Sequence, residues 1–436
     1  MNQLLPARRA HRTSRSRKPA LVNSPEEQGA LRCRGCSAGG LRTILDLGCL
    51  PLANGLLNER QVLEPEPTYP LILVFCSRCA LVQITETLPA ADLYGQYVYF
   101  SSYSDTMLGE SRRIAERMIR VHRLDQNSRV IEIASNDGYL LQFYKEAGVS
   151  VLGVEPASNV AAAAIGRGIP TVCDFFSPAI AQQLCEEGKR ADVIHAHNVL
   201  AHVADIHDFF RGLAMLLESE GVIAIEVPYV RDMIEGAEFD TIYHEHLSYF
   251  SLSALDRIGE LHGLAITGVE HLSIHGGSLR IFMAHAGTGA PVCDSVPRML
   301  DEEQRCGLTS ASFYEKFARR VERLRCRLVS HLRSLKSQGA RLAAYGASAK
   351  GTTLLNFCGI DGGILDFVVD RSPAKHGLYT PGTHLPIYNV EALLRQMPDF
   401  VVLLAWNWAD EIVEQQAEYR HRGGRFIVPI PELRVI

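Results

Sequence analysis

The chain has 436 residues, 47% of them hydrophobic and 21% charged, with a formal net charge of −5. That length exceeds one ordinary hydrophobic core and predicts two or three domains. The acidic balance argues against a general nucleic-acid binder. No apolar run reaches the roughly 18 residues that a membrane span needs, so no membrane partner is expected.

The opening stretch, "MNQLLPARRAHRTSRSRKPALVNS", is rich in Arg and Ser and has no acid before Glu26. A transit peptide has this composition, and so does a basic disordered tail. We read residues 1–28 as the tail. A secretory apolar stretch is missing from it, so the cytoplasm is the expected compartment.

Four of the eleven cysteines are paired in sequence: Cys33 with Cys36 in "CRGC", and Cys76 with Cys79 in "CSRC". Two intervening residues let both thiolates of a knuckle reach one ion, and two knuckles close a tetrahedral zinc site with Zn–S bonds of about 2.3 Å. Such a site has no open position for water, so it is expected to be structural. A redox dithiol needs only one pair, and a reducing compartment disfavours disulfides. Residues 29–95 are therefore read as a zinc-binding domain. The seven scattered cysteines, Cys49, Cys173, Cys185, Cys293, Cys306, Cys326 and Cys358, are expected to be small buried hydrophobes.

From Ser128 strands and helices alternate. "RVIEIAS", "VSVLGVEPA", "IPTVCDFF", "ADVIHAHNVL" and "GVIAIEVPY" read as strands. "LLQFYKEAG", "SNVAAAAIGRG", "SPAIAQQLCEEG" and "HDFFRGLAMLLESE" read as the helices between them. This predicts a parallel sheet with helices on both faces, and a ligand at the carboxyl ends of its strands. Residues 96–300 are assigned to this domain. Its first turn lacks G-x-G-x-x-G, so a nucleoside without a diphosphate fits better than NAD. Glu132 lies at the end of the first strand, and Gly138 is expected to allow close backbone approach. Glu155 ends the second strand, where an acid commonly bonds ribose hydroxyls. Asp174 and Phe175 follow the third strand, where an adenine could sit. Singly, each of these acids is more often a cap or a turn residue; the ordered set carries the reading.

"YHEHLSYF", residues 243–250, concentrates Tyr243, His244, Glu245, His246 and Tyr249. Histidines two apart do not share a helical face, H-E-x-x-H is absent, and a strand would still lack a third ligand. A wet surface loop remains open. Proton transfer is favoured, because a neutral imidazole suits a base working near pH 7.

Residues 301–338 contain an amphipathic pattern, Phe313, Phe317, Val321, Leu324, Leu328 and Leu332, and are read as a connecting helix. Residues 339–436 are read as a smaller α/β domain. Its "YGASAKG" turn, with Gly346, Ala347 and Ser348, offers amides at a helix start as an anion site, and Lys350 could add charge. A turn serving only close packing is the alternative. Trp406, Asn407 and Trp408 follow a later strand and are expected at the same crevice.

The knuckles, "DLGCLPLAN", "IEIASNDGYLL", "NVLAHV", "EVPY", "YHEHLSYFS", "HGGSLRIF" and "YGASAKG" occur in an order that resembles one family over residues 30–436. It is the family of S-adenosylmethionine-dependent C-methyltransferases acting on nucleotide-linked 4-keto-deoxysugars. Ala134 departs from the pattern, standing where the family usually has glycine. The resemblance implies a fold class: α/β, with a class I methyltransferase Rossmann-like sheet, an N-terminal four-cysteine zinc region and a smaller C-terminal Rossmann-like domain. It implies two cofactors, S-adenosylmethionine and structural Zn2+. The donor would be held by Glu132, Ala134, Asn136, Gly138, Tyr139, Glu155, Asp174, Phe175 and Asn198. His246 would be the base, with Tyr243, Glu245 and His244 beside it. The substrate, a keto-sugar expected on dTDP, would meet Tyr99, His202, Tyr229, His275, Ser278, Arg280, Tyr345, Ser348, Lys350, Trp406 and Asn407. The expected reaction is methylation at the 3-carbon beside the ketone. An O- or N-methyltransferase on a small metabolite is the enzymatic rival. A zinc-ribbon nucleic-acid binder is the other rival, weakened by the missing aromatic–basic interleaving near the knuckles.

Overall fold

The computed structural model describes residues 31–89, 101–103, 105–272 and 276–436. The basic tail, Tyr99 and His275 lie outside the described residues. Among the described residues, no helix is long and apolar enough to cross a membrane.

The N-terminal region is an antiparallel sheet of β1 (Arg42–Leu50), β2 (Tyr69–Phe75) and β3 (Val82–Ile84). Cys33 and Cys36 precede β1, and Cys76 and Cys79 form the turn from β2 into β3. That turn is closed by Ala80 N–H donating to Cys76 O at 2.9 Å.

The central sheet contains β4 (Arg129–Ile133), β5 (Ser150–Val154), β6 (Thr171–Val172), β7 (Ala191–His197) and β8 (Leu217–Pro228), all parallel. A short strand, β9 (Ser248–Tyr249), leaves this domain and pairs with β3, through Val82–Tyr249 and Gln83–Ser248. The sheet then ends in an antiparallel hairpin, β10 (Leu264–Leu272) and β11 (Ser278–His285). The order β10-β11-β8-β7-β4-β5-β6 makes β4 and β7 the pair where the winding reverses, the usual place for a ligand crevice. The helix expected through Glu220 stops at Leu216, because Leu217 turns extended and pairs with Ala191.

The C-terminal sheet has β12 (Leu342–Tyr345), β13 (Val368–Val369), β14 (Ile387–Tyr388), β15 (Phe400–Leu403), β16 (Arg425–Val428) and β17 (Arg434–Val435). Its order is β14-β13-β12-β15-β16-β17, parallel except for β17. The connection into it is two helices, Ser295–Cys306 and Ala311–Ser337, not one; Gly307, at φ 85°, ends the first. The second buries Tyr314, Phe317, Val321, Leu324, Leu328 and Leu332, while Phe313 is only partly covered. One continuous buried core runs through all three regions. Of the scattered cysteines only Cys358 is buried; Cys49, Cys173, Cys293 and Cys326 are exposed and Cys185 and Cys306 intermediate. Their segments present one face to solvent, which position in sequence alone did not reveal.

Candidate active site

The four knuckle cysteines converge, with their sulfurs all within 4.8 Å of one another. Cys33 Sγ is 3.4 Å from Cys79 Sγ, and Cys36 Sγ is 3.6 Å from Cys76 Sγ. A tetrahedron with Zn–S bonds of about 2.3 Å has edges of about 3.8 Å, so the donor set fits zinc and is closed.

A cavity of about 770 Å³ opens at the carboxyl ends of the central strands. One wall is the turn after β4. Ala134 and Asn136 adopt φ of 56° and 49° there, in the left-handed region that disfavours residues with a Cβ. The position where the resemblance expects glycine therefore has a glycine-like backbone, and strain is concentrated where a ligand must approach. Asn198, after β7, has φ 54° and also lines the cavity. Glu155 accepts from Asn136 N–H and Ala157 N–H, both at 2.9 Å, and lines the same wall with Tyr139 and Phe175. Burial raises the Glu155 carboxyl above its ordinary range, and the two amides oppose that shift. A fixed carboxylate, a carboxamide and a flat aromatic side chain form a lining that fits a nucleoside.

Three expected donor contacts are placed elsewhere. Glu132 is fully buried beneath the turn, and burial drives its pKa well above the ordinary carboxyl range. Gly138 is needed against Ile169, since a Cβ there would lie 2.9 Å from Ile169 Cγ1. Asp174 turns back to accept from Phe175 N–H at 2.7 Å.

The lining also includes much of "YHEHLSYF". His246 Nδ1 donates to Thr241 O at 3.1 Å, since a carbonyl can only accept. With Nδ1 protonated and the ring neutral, Nε2 carries the lone pair and accepts from Tyr243 O–H at 2.8 Å. Burial, then His202 and Lys350, holds His246 well below the ordinary histidine range. His202 stands edge-on to it, ring centres 4.9 Å apart, and donates Nδ1–H to Glu245 O at 2.8 Å. Burial brings His202 down to about 4. Glu245 is pushed up to about 6 by burial, against the pull of Asn54, whose Nδ2 donates to both its oxygens at 2.8 and 3.0 Å. Tyr243, Glu245, His246 and His202 all line the cavity.

His244 does not. Its Nε2 faces Tyr69 O and Pro70 O, at 3.3 and 3.2 Å, so it pins the loop to β2. Tyr229 lines the cavity with its ring, but its hydroxyl donates to buried Glu303 at 2.9 Å. Ser278 is buried inside β11. Arg280 is tied to Glu226 at 2.9 Å beneath the sheet. In the C-terminal domain only Lys350 and Trp408 line the cavity. Ser348 caps its own helix, accepting from Gly351 N–H at 3.2 Å. The expected anion site is filled by the chain itself: Ala347 N–H donates to Asp370 Oδ2 at 2.8 Å. Tyr345 is buried within β12, Trp406 donates Nε1–H to Asp240 at 2.6 Å, and Asn407 lies outside the cavity. The sequence reading missed Asn54, Glu238, Gly276 and Gly277, which line the cavity; Asn54 and the two glycines stand in motifs already picked out.

Strand order, cavity and cysteine cluster together define a class I S-adenosylmethionine-dependent methyltransferase with a closed zinc site. Three family profiles match in chain order: a zinc binding domain over residues 33–94, a methyltransferase domain over 108–269 and a C-methyltransferase C-terminal domain over 273–431. C-methyltransferase NovU of Streptomyces niveus is 35% identical over 404 residues, 93% of this chain and 96% of that one. The chain belongs to this C-methyltransferase family, and its reaction is S-adenosylmethionine-dependent C-methylation. A ubiquinone biosynthesis O-methyltransferase of Bartonella quintana is 25% identical over 148 residues, 34% of this chain and 49% of that one. Among solved structures, the magnesium protoporphyrin IX methyltransferase of Synechocystis with bound SAM is 14% identical, with a TM-score of 0.33 over 45% of this chain and 89% of that one.

Proposed function

We propose that the enzyme methylates a nucleotide-linked 4-keto-6-deoxysugar, carried on dTDP, at the 3-carbon beside the ketone. The observation that carries this is the neutral His246, held by Thr241 O and Tyr243 O–H, lining the same cavity as the turn after β4. A sugar carbon becomes nucleophilic only after losing a proton, and an adjacent ketone makes that proton removable. His246 Nε2 takes it. The Tyr243 hydroxyl, which donates to Nε2 in this structure, turns to the ketone oxygen as charge collects there. Glu245, fixed by Asn54, and His202 keep the loop and the imidazole in register. Glu155, Asn136 and Phe175 orient the donor, and the backbone at Ala134 lets it approach. S-adenosylmethionine, when bound, supplies an electrophilic methyl on a sulfonium.

The test is the product. dTDP-4-keto-6-deoxyglucose and S-adenosylmethionine are incubated with the enzyme and the sugar is followed by NMR. The expected result is a new methyl on carbon 3, absent with His246→Asn. A methyl on oxygen or nitrogen would sink the reading.

A further inference from the structure

We propose that Lys350 and Glu238 form the site that receives the oxyanion when the sugar carbon is deprotonated, so the C-terminal domain contributes a catalytic residue. This rests on the reading above of His246 as base.

Lys350 is the second residue of the helix Ala349–Cys358. A cation at a helix N-terminus opposes the helix dipole, so helix stability does not explain it. Its Nζ is buried and finds no hydrogen-bond acceptor among the described residues, and the residue lines the cavity. No carboxylate among the described residues forms an ion pair with it; instead Nζ stands 4.8 Å over the Trp406 ring. Trp406 in turn holds Asp240 through Nε1 at 2.6 Å. Asp240 is thus a fixed counter-charge behind the lysine, not a direct partner. Glu238 lines the same cavity, its carboxyl packed against Gly276, where a Cβ would lie 2.7 Å from Oε2. Glycine is required there, and it leaves the carboxyl beside the cavity.

The charges favour an oxyanion. Burial pushes Glu238 up to about 8, offset by Lys350 and reinforced by Asp240 and Asp232, so near neutrality it is a hydrogen-bond donor. Asp240 is raised to about 6 by burial and is ionised at the same pH. Lys350 and a neutral Glu238 carboxyl, both able to donate, thus line one cavity. Lys350 also acts electrostatically on His246, so both groups work on one region. When His246 takes the carbon's proton, its new positive charge and that of Lys350 flank the oxygen that accepts the electron pair. The bond broken is C–H, the bond formed is N–H, and the C–C–O unit becomes an enolate. A low-dielectric site makes such preorganised donors effective.

The experiment uses the full-length zinc-loaded enzyme with S-adenosylhomocysteine and dTDP-4-keto-6-deoxyglucose in heavy water. Exchange of the proton beside the ketone is followed at saturating sugar, and sugar affinity by calorimetry. Lys350→Met should slow exchange about a hundredfold, the scale of losing one oxyanion donor, with sugar affinity within roughly threefold of wild type. Lys350→Arg, which keeps the charge, should restore part of the rate. Unchanged S-adenosylhomocysteine affinity shows that the variants are folded. Wild-type exchange at saturation with at least roughly tenfold weaker sugar binding would make Lys350 a ground-state binding residue and overturn the inference. Wild-type behaviour in both would also overturn it. His246→Asn is run alongside: if it still exchanges, the base assignment itself fails. If it is silent while Lys350→Met exchanges normally, only the oxyanion assignment fails.

Discussion

His244 and His246 sit two residues apart and meet opposite surroundings. His244 spends Nε2 on the carbonyls of Tyr69 and Pro70 and is a structural anchor. His246 keeps a neutral ring on the cavity wall, with its tautomer fixed by Thr241 O. Burial does the same work on the carboxyls nearby, and Glu238 gives it a measurable sign. In the unfolded chain Glu238 titrates near 4.5, and in the folded protein at about 8. Between those values the folded state holds one more proton, so this group's contribution falls as pH rises, with a limiting slope of about 1.4 kcal/mol per pH unit. The groups facing it, Lys350, Asp240 and Asp232, remain in a Glu238→Gln variant. Denaturant melts between pH 5 and 8 should therefore show wild type losing stability relative to Glu238→Gln. Parallel curves would place Glu238 in contact with water.

At the scale of elements, the two-residue strand β9 joins the zinc sheet directly after His246. Arg34, inside the first knuckle, donates to Ile84 O at 2.6 Å and reaches Leu247 O at 3.4 Å. Metal binding and local folding are coupled in such sites, so the zinc site braces the loop that carries His246. Cys79→Ser should lose about one zinc equivalent, raise amide exchange at Ser248 and Tyr249, and lower turnover with donor affinity preserved. Retained zinc, or zinc lost with Ser248 and Tyr249 still protected, would separate the two regions. The knuckles were legible because their short spacing carries their chemistry. The β3–β9 pairing was not, since two residues show no periodicity and the partner is remote in sequence. One amide of the "YGASAKG" turn, that of Ala347, is already taken for a related reason. The carboxylate that satisfies its amide, on Asp370, comes from the end of the next strand.

Across the whole molecule, three regions close on one loop. The zinc region supplies Asn54 to Glu245 and the β2 carbonyls to His244. The central domain supplies the cavity-lining turn after β4 and the loop itself. The C-terminal domain braces the approach to the loop through Thr353, which donates to Ile242 O at 3.2 Å, and through Phe357, packed on Phe239 with ring centres 5.2 Å apart. The order zinc region, methyltransferase domain, C-terminal domain and the cavity-lining place of His246 could be read from motifs. Their convergence could not, because it is made by contacts between segments far apart in the chain. The proposed reaction requires proton removal by His246 before the methyl moves. Its most direct test is solvent deuterium exchange into the 4-keto-sugar, with S-adenosylhomocysteine in place of the donor, comparing wild type with His246→Asn. Wild type is expected to exchange and the variant not, while S-adenosylhomocysteine still binds. Exchange by His246→Asn at the wild-type rate would contradict it.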